Sequence, residues 1–253
     1  MFNVFGIELH LYGLMLGLGA LAALYSGLWL TRKNELDTSE VESAFWWLIL
    51  AGIIGARLYH VIDKWHIYRQ DLVSIVYIWK GGLGIFGGII GGLIGLLLYL
   101  RLRHTKITFW QLFDVAAFGM PLAQATGRLG NYINGELYGK PTNLPWGTLV
   151  KGQRVHPLFA YEALLNVGLF YLLYRLATKT KVGLGKIGGI YLFGYGAIRF
   201  VLEPLRPEIM VWTWQGIPVA EIFSVAAMVV GLVIYIQHGK RTKQAKRKTR
   251  QSQ

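Results

Sequence analysis

Arg128 is followed at helical spacing by Asn131 and Asn134, inside the run Gly127-Arg128-Leu129-Gly130-Asn131-Tyr132-Ile133-Asn134-Gly135-Glu136-Leu137-Tyr138-Gly139. If the chain stays helical there, residues at i, i+3 and i+6 share one face. That face presents a guanidinium fork and two amides, a set suited to gripping a phosphate oxygen bidentately. The four glycines of the run let backbone approach a ligand closely. The bland alternative is a helix-ending loop with a snorkelling arginine. A second group is Tyr195-Gly196-Ala197-Ile198-Arg199-Phe200-Val201-Leu202-Glu203-Pro204-Leu205-Arg206. Arg199 and Glu203 stand at i, i+4 and can pair. Pro204 biases the helix to end near Glu203. A third group is His156-Pro157-Leu158-Phe159-Ala160-Tyr161-Glu162, where Pro157 fits a first helical turn. His156 then reads as a cap or proton carrier, and Glu162 as a carboxylate too deep for easy solvation.

The surrounding chain explains why such charges are informative. Hydrophobic residues make up 54% of the 253 positions and charged residues 15%, yet net charge is +13. Mean hydropathy is +0.41. Disorder needs low hydropathy and is excluded. The composition is that of a multi-pass membrane protein with basic loops. With no cysteine, the chain has no disulfide, thiolate metal site or cysteine nucleophile of its own.

A bilayer core needs about 20 mostly apolar residues per helix. Seven runs qualify: 11–30, 43–62, 81–100, 107–127, 155–174, 186–202 and 214–236. The expected fold is therefore all-α, a single seven-helix transmembrane domain over 1–237. An outer loop region spans 128–156, and a basic tail follows at 238–253. An odd count puts the termini on opposite faces. One set of loops carries 16 Lys+Arg and the other 10, so the C-terminus is expected in the cytoplasm and the N-terminus outside. The first run is too long to be a removable signal peptide, and it lacks a basic leader and cleavage site. The tail from Lys240 to Arg250 has no interleaved aromatics. It reads as a topology anchor on anionic lipid rather than a nucleic-acid site. On this orientation all three polar groups gather toward the outer leaflet, where an ionisable residue at depth costs about 2.5–3.5 kcal/mol unless it lines a cavity or pairs.

Residues 81–95 contain eight glycines. Spacings such as Gly84/Gly88 and Gly91/Gly95 suit close helix packing. Tyr12, in His10-Leu11-Tyr12-Gly13, reads by itself as an aromatic-belt residue.

With these residues in view, the run 127–139 resembles the signature of bacterial phosphatidylglycerol–prolipoprotein diacylglyceryl transferases. The segments at Tyr12, at His156–Glu162 and at Tyr195–Glu203 resemble other blocks of that family, in the same order. The resemblance covers the chain from about His10 to Glu221. It implies a seven-helix enzyme of the bacterial cytoplasmic membrane. It implies transfer of the diacylglyceryl group of phosphatidylglycerol to the lipobox cysteine of a prolipoprotein signal peptide. A thioether forms and glycerol-1-phosphate leaves. Carried onto matching positions, Arg128 and Arg199 are the family's essential arginines. Asn131, Glu136, Gly139, Glu203 and Tyr12 match other functional positions, as do Arg206 and Glu162. One departure stands out. Where many relatives carry His-Gly-Gly in the third run, this chain reads Phe86-Gly87-Gly88, and Phe86 cannot accept a proton.

The expected catalytic set is Arg128, Arg199, Glu203 and Glu136. The expected substrate-binding set is Tyr12, Asn131, Asn134, Gly139, His156, Glu162 and Arg206. Two arginines would stabilise the departing phosphate ester. Glu203, His156 and Glu136, in that order, are candidates to take the thiol proton. No cofactor or metal is expected, since no metal-ligand spacing occurs. The partners expected are phosphatidylglycerol, prolipoprotein signal peptides and membrane lipid, with no nucleic acid. The competing readings are a small-solute transporter, which glycine-rich helices and intramembrane charge also suit, and a non-catalytic lipid-binding paralogue, for which Phe86 is the argument. A serine protease is set aside because none of the serines sits in a Gly-x-Ser-Gly setting.

Overall fold

The computed structural model describes the backbone of residues 2–4, 7–9, 11–103 and 105–251, and side chains within 11–79, 81–103 and 105–237. His10 and the side chains of the basic tail lie outside the described residues. The chain forms two compact units, Met1–Asn34 with Phe113–Gln253, and Glu35–Leu112.

A long helix lies over each apolar run. These are α1 (Leu11–Lys33), α2 (Thr38–Asp63), α4 (Ile85–Leu102), α5 (Phe109–Ile133), α6 (Leu158–Ala177), α7 (Lys186–Leu202) and α8 (Val219–Gln251), with a single turn, α3 (Trp65–Tyr68), after α2. Among the described residues four helices are long and apolar enough to cross a bilayer: α1, α2, α4 and the part of α8 at Val219–Gln237. The chain is a multi-pass membrane protein. Many of the large side chains on these helices face outward, Ile54 and Ile89 among them, as lipid-facing surfaces require.

Five helix starts differ from the expected runs: α2 begins earlier, at Thr38, and α4, α5, α6 and α8 begin later. Gly81 and Gly82 take left-handed φ of 88° and 76°, so α4 begins at Ile85 rather than at residue 81. Residues 213–218 form a hairpin, β5 (Thr213–Trp214) with β6 (Ile217–Pro218), so α8 begins at Val219. Two further antiparallel pairs occur, β1 (Phe2–Val4) with β2 (Ile7–Leu9), and β3 (Thr148–Val150) with β4 (Gln153–Val155). The loops Lys151-Gly152 and Gln215-Gly216 have positive φ at both residues, the geometry that matches strand twist in two-residue hairpins. Neither has the Asn-Gly or Asp-Gly spelling that signals such a turn.

In the unit Glu35–Leu112, α2 packs on α4 through glycine. A Cβ on Gly91 would lie 2.9 Å from Gly55 Cα, closer than a side chain tolerates, so the backbones meet as small-residue spacing predicts. Arg57, 7% exposed, donates to the carbonyls of Ser74, Ile75, Gly81 and Gly82 and lies over the Tyr68 ring. It is a loop-pinning arginine. Tyr99 donates to Glu40. Asp37 caps α2 by accepting from Ser39; the Ser39 hydroxyl and amide hold its carboxyl below the usual range.

In the other unit, Leu30, Phe118, Leu173 and Ile187 are almost wholly buried. Trp29 stacks on Phe118 at 5.7 Å, and Phe118 meets Phe170 at 5.2 Å. At this end Asp114, 0% exposed, accepts from the amides of Gly183, Gly185 and Gly188 at 2.9–3.0 Å. The 183–188 segment and the start of α7 are thereby tied to α5. The other ends of α5, α6 and α7 carry the polar groups singled out above.

Candidate functional site

α5 continues through Arg128 and Asn131 and stops at Ile133. The Asn134 amide closes the last turn onto the Gly130 carbonyl at 3.1 Å. Gly135 and Leu137 then adopt left-handed φ of 70° and 60°, and the Glu136 amide returns to the Asn131 carbonyl at 2.8 Å. This turn places the Glu136 carboxylate over both amides. It accepts from Asn131 Nδ2 at 3.0 Å and from Asn134 Nδ2 at 3.3 Å.

The chain next runs between two neighbours. The Gly139 amide donates to the His156 carbonyl, the His156 amide to the Lys140 carbonyl, and the Lys140 amide to the Leu205 carbonyl, at 2.8–3.1 Å. No side chain fits at position 139. A Cβ there would lie 2.7 Å from His156 Cβ and 2.8 Å from the Leu205 carbonyl oxygen. His156 therefore precedes α6 as part of this crossing. Pro157 stands at the N-cap of α6, one position earlier than a first helical turn.

One turn into α6, Glu162 is 1% exposed. Its Oε1 accepts from Arg128 Nη2 at 2.6 Å, and its Oε2 accepts from Arg199 Nη1 at 3.3 Å. Arg199 also donates through Nη2 to Glu203 Oε2 at 2.8 Å, the i, i+4 pair expected from spacing. Glu203, 2% exposed, starts the 3-10 turn Glu203–Leu205, and its Oε1 lies 3.6 Å from Arg206 Nη1. On the other side, Arg128 Nη1 donates to Asn131 Oδ1 at 3.0 Å. Asn134, Glu136, Asn131, Arg128, Glu162, Arg199, Glu203 and Arg206 thus form one unbroken polar row across α5, α6 and α7.

The row is nearly closed internally but open on its cationic side. Glu162 and Glu203 are sealed, whereas the side chains of Arg128, Arg199 and Arg206 are 23%, 16% and 24% exposed. A guanidinium has five donors. Among the described residues Arg128 donates to Asn131 and Glu162 and its side chain also meets Tyr195, while its buried Nε has no hydrogen-bond partner. Such half-satisfied, partly exposed arginines held by buried carboxylates can grip a further anion without moving.

Two expected residues lie beside the row. The Tyr12 ring packs on Gly130, where a Cβ would meet Tyr12 Cδ2 at 2.8 Å. His156 Nδ1 is 3.4 Å from the Tyr161 hydroxyl, which also accepts from Trp146 Nε1 at 2.8 Å. Phe86, in the other unit, sits in the first turn of α4 with its ring 6.2 Å from that of Tyr59.

Several participants escaped the sequence reading. Asn166, 0% exposed, donates to the Glu162 carbonyl at 2.8 Å. Gln124 donates to the Tyr191 hydroxyl at 2.9 Å, and the Tyr191 and Tyr195 rings stack at 6.0 Å. Gln124 precedes Arg128 by four, Asn166 follows Glu162 by four, and Tyr191 precedes Tyr195 by four and Arg199 by eight. Helical spacing from the three charged anchors would have found all of them.

Fold and site together define a multi-pass helical membrane protein in which buried carboxylates hold two partly exposed arginines side by side at the polar ends of its helices. The family model of prolipoprotein diacylglyceryl transferase matches residues 1–237, and the chain belongs to that family. It is 33% identical over 239 residues to the phosphatidylglycerol–prolipoprotein diacylglyceryl transferase of Finegoldia magna, covering 94% of this chain and 95% of the relative. It is 34% identical over 242 residues to the protein of the same name from Clostridioides difficile, covering 96% of each. With the one from Thermosynechococcus vestitus it shares 34% identity over 240 residues, 89% of this chain and 87% of that one.

Proposed function

We propose that this chain transfers the diacylglyceryl group of phosphatidylglycerol to the lipobox cysteine thiol of prolipoprotein signal peptides. The relatives favour this over solute transport or a non-catalytic lipid-binding role. The observation that carries the mechanism is the bridge in which opposite oxygens of Glu162 hold Arg128 and Arg199.

The thiolate sulfur attacks the glycerol carbon that bears the phosphate. The C–S bond forms as the C–O bond breaks, and the electron pair leaves on the phosphate oxygen of glycerol-1-phosphate. Arg128 and Arg199 meet that growing charge with donors already in place, the arrangement that makes electrostatic stabilisation effective in a dry site. Glu162 and Glu203 position them. Asn131 and Asn134 brace the Glu136 turn, Arg206 extends the cationic edge, and Gly139 lets the chain cross beside His156. Tyr12 buttresses α5 where the arginine departs.

A thiol must lose its proton to become the reactive form. Glu203 is engaged by two guanidiniums and Glu136 by two amides. Among the described residues the His156 ring has one side-chain hydrogen-bond partner, Tyr161, so it fits the role of proton acceptor best, ahead of the order read from spacing. With Nδ1–H donated to Tyr161, its Nε2 lone pair is available. No metal or cofactor is needed for this displacement.

The chain works with seven spans, its N-terminus outside and its tail on anionic cytoplasmic lipid, in the bacterial cytoplasmic membrane. The asymmetry of loop charge supports this orientation. Residues 1–237 then act as one transmembrane domain with the 128–156 region outside, and nucleic acid has no part in it.

The test is mass spectrometry of a lipobox peptide incubated with the purified chain in phosphatidylglycerol vesicles. A shift of one diacylglyceryl group, lost in Arg128→Ala and Arg199→Ala, is expected. Full turnover in both variants would remove the phosphate clamp.

A further inference from the structure

Beside the polar row lies a cavity of about 320 Å³ lined by Glu203, Arg206, Lys140, Glu208, Thr213 and Glu221, among others. That volume falls at the lower end of the roughly 300–1,000 Å³ of small-ligand sites. Glu203 and Arg206 are the last two members of the row, so the cavity continues directly from the arginines. Its outer wall is the chain between α7 and α8. Along 211–214 the side chains alternate as in a strand. Val211 and Thr213 face the cavity, while Trp212 and Trp214 are 67% and 62% exposed.

The charges on these walls are unevenly used. Glu203 is occupied by Arg199 and Arg206. The side chains of Lys140, Glu208 and Glu221 have no ion pair or side-chain hydrogen bond among the described residues. The site therefore offers an unpaired ammonium and two unpaired carboxylates next to a guanidinium. A second anion would face Glu208 and Glu221. A cation would face Lys140 and Arg206. An uncharged polyol avoids both repulsions, since its hydroxyls donate to carboxylates and accept from the ammonium.

We propose that this cavity binds the terminal glycerol of the phosphatidylglycerol headgroup, with Glu208 and Glu221 as hydroxyl acceptors and Lys140 as donor. The proposal rests on the transferase reading and adds the residues that select the lipid by what lies beyond its phosphate. The phosphate meets the arginines, the glycerol enters the cavity beside Arg206, and both depart together as glycerol-1-phosphate.

The experiment measures equilibrium binding of glycerol-1-phosphate and of inorganic phosphate to the full chain in phosphatidylethanolamine nanodiscs. Wild type is compared with the Glu208→Gln/Glu221→Gln double variant, and with each single variant should the double fail to fold. Wild type should prefer glycerol-1-phosphate. The variants should weaken that ligand about tenfold, the scale of a lost hydrogen bond to a charged group, and leave inorganic phosphate within about twofold. Equal loss for both ligands, no loss for either, or no preference in wild type overturns the proposal. Thioether formation by wild type is read separately. Its absence would reject the transferase reading, while the binding data still decide the cavity.

Discussion

Arg128 and Glu162 lie thirty-four positions apart in the chain and meet at 2.6 Å, with the carboxylate 1% exposed. Because the second oxygen of the same carboxylate holds Arg199, one buried acid sets the spacing of two cations. A carboxylate sealed between two guanidiniums is stable only as a complete set, since removing one member leaves uncompensated charge.

Glu162→Gln should therefore damage both stability and turnover. The amide offers one acceptor and turns donors toward the other guanidinium. Removing a partner of a buried pair costs about 3–5 kcal/mol, and the partial exposure of the arginines places this case near the lower figure. Thermal unfolding in detergent should show a clear loss, and thioether formation should fall at least roughly tenfold. A variant with wild-type stability and rate would show that the bridge does not set the arginines.

His156→Gln should lower thioether formation by about 10²–10⁴, the range for loss of a positioned base. The deficit should shrink as pH rises toward the thiol pKa of ~8.5, where the peptide ionises without help. A rate–pH profile on the purified enzyme measures this. Phe86→His in the wild-type background should change the rate less than about twofold. A large gain from Phe86→His would move the proton acceptor to that helix.

Gly139→Ala should destabilise the crossing of the 137–140 segment with His156 and Leu205. The added methyl meets a Cβ and a backbone carbonyl, neither of which can swing away. Overpacking of this kind costs about 1–3 kcal/mol. Circular-dichroism melts should show the loss, and activity should fall with it.

The spacing rules made much of this legible, and their failures are local. Arg199 and Glu203 pair because four positions on a helix are one turn, so their contact could be read directly. The contact of Arg128 with Glu162 could not, because it depends on how α5, α6 and α7 pack, and no local rule specifies that. The hairpin at 213–218 was hidden because Gln215-Gly216 makes a tight turn without its usual spelling, so a helix was expected from Trp214. Each apolar run carries a long helix, and among the described residues four of these are long and apolar enough to cross a bilayer. Their lipid-facing sides share the periodless apolar character of a buried helix, which leaves boundaries to capping and glycine geometry. Asp114 stood out as a charge in an apolar run, yet its task could not be read. The three amides it holds lie about seventy positions later.

That anchoring gives its own test. Asp114→Ala leaves three amide donors of the 183–188 segment without their acceptor, at about 1–3 kcal/mol each if they stay buried. Hydrogen exchange at Gly183, Gly185 and Gly188 should speed up markedly while amides in the middle of α5 stay protected. Unchanged exchange at those glycines would contradict the assignment.

The most direct test of two arginines acting on one phosphate is a double-mutant cycle on thioether turnover, using Arg128→Lys, Arg199→Lys and the pair. Each single change should cost about 10²–10³ in rate, as loss of a preorganised donor does. If both grip the same leaving group, the double variant should be impaired by far less than the product of the two singles. Strictly multiplicative losses would mean that the two guanidiniums act independently, and the shared clamp would be wrong.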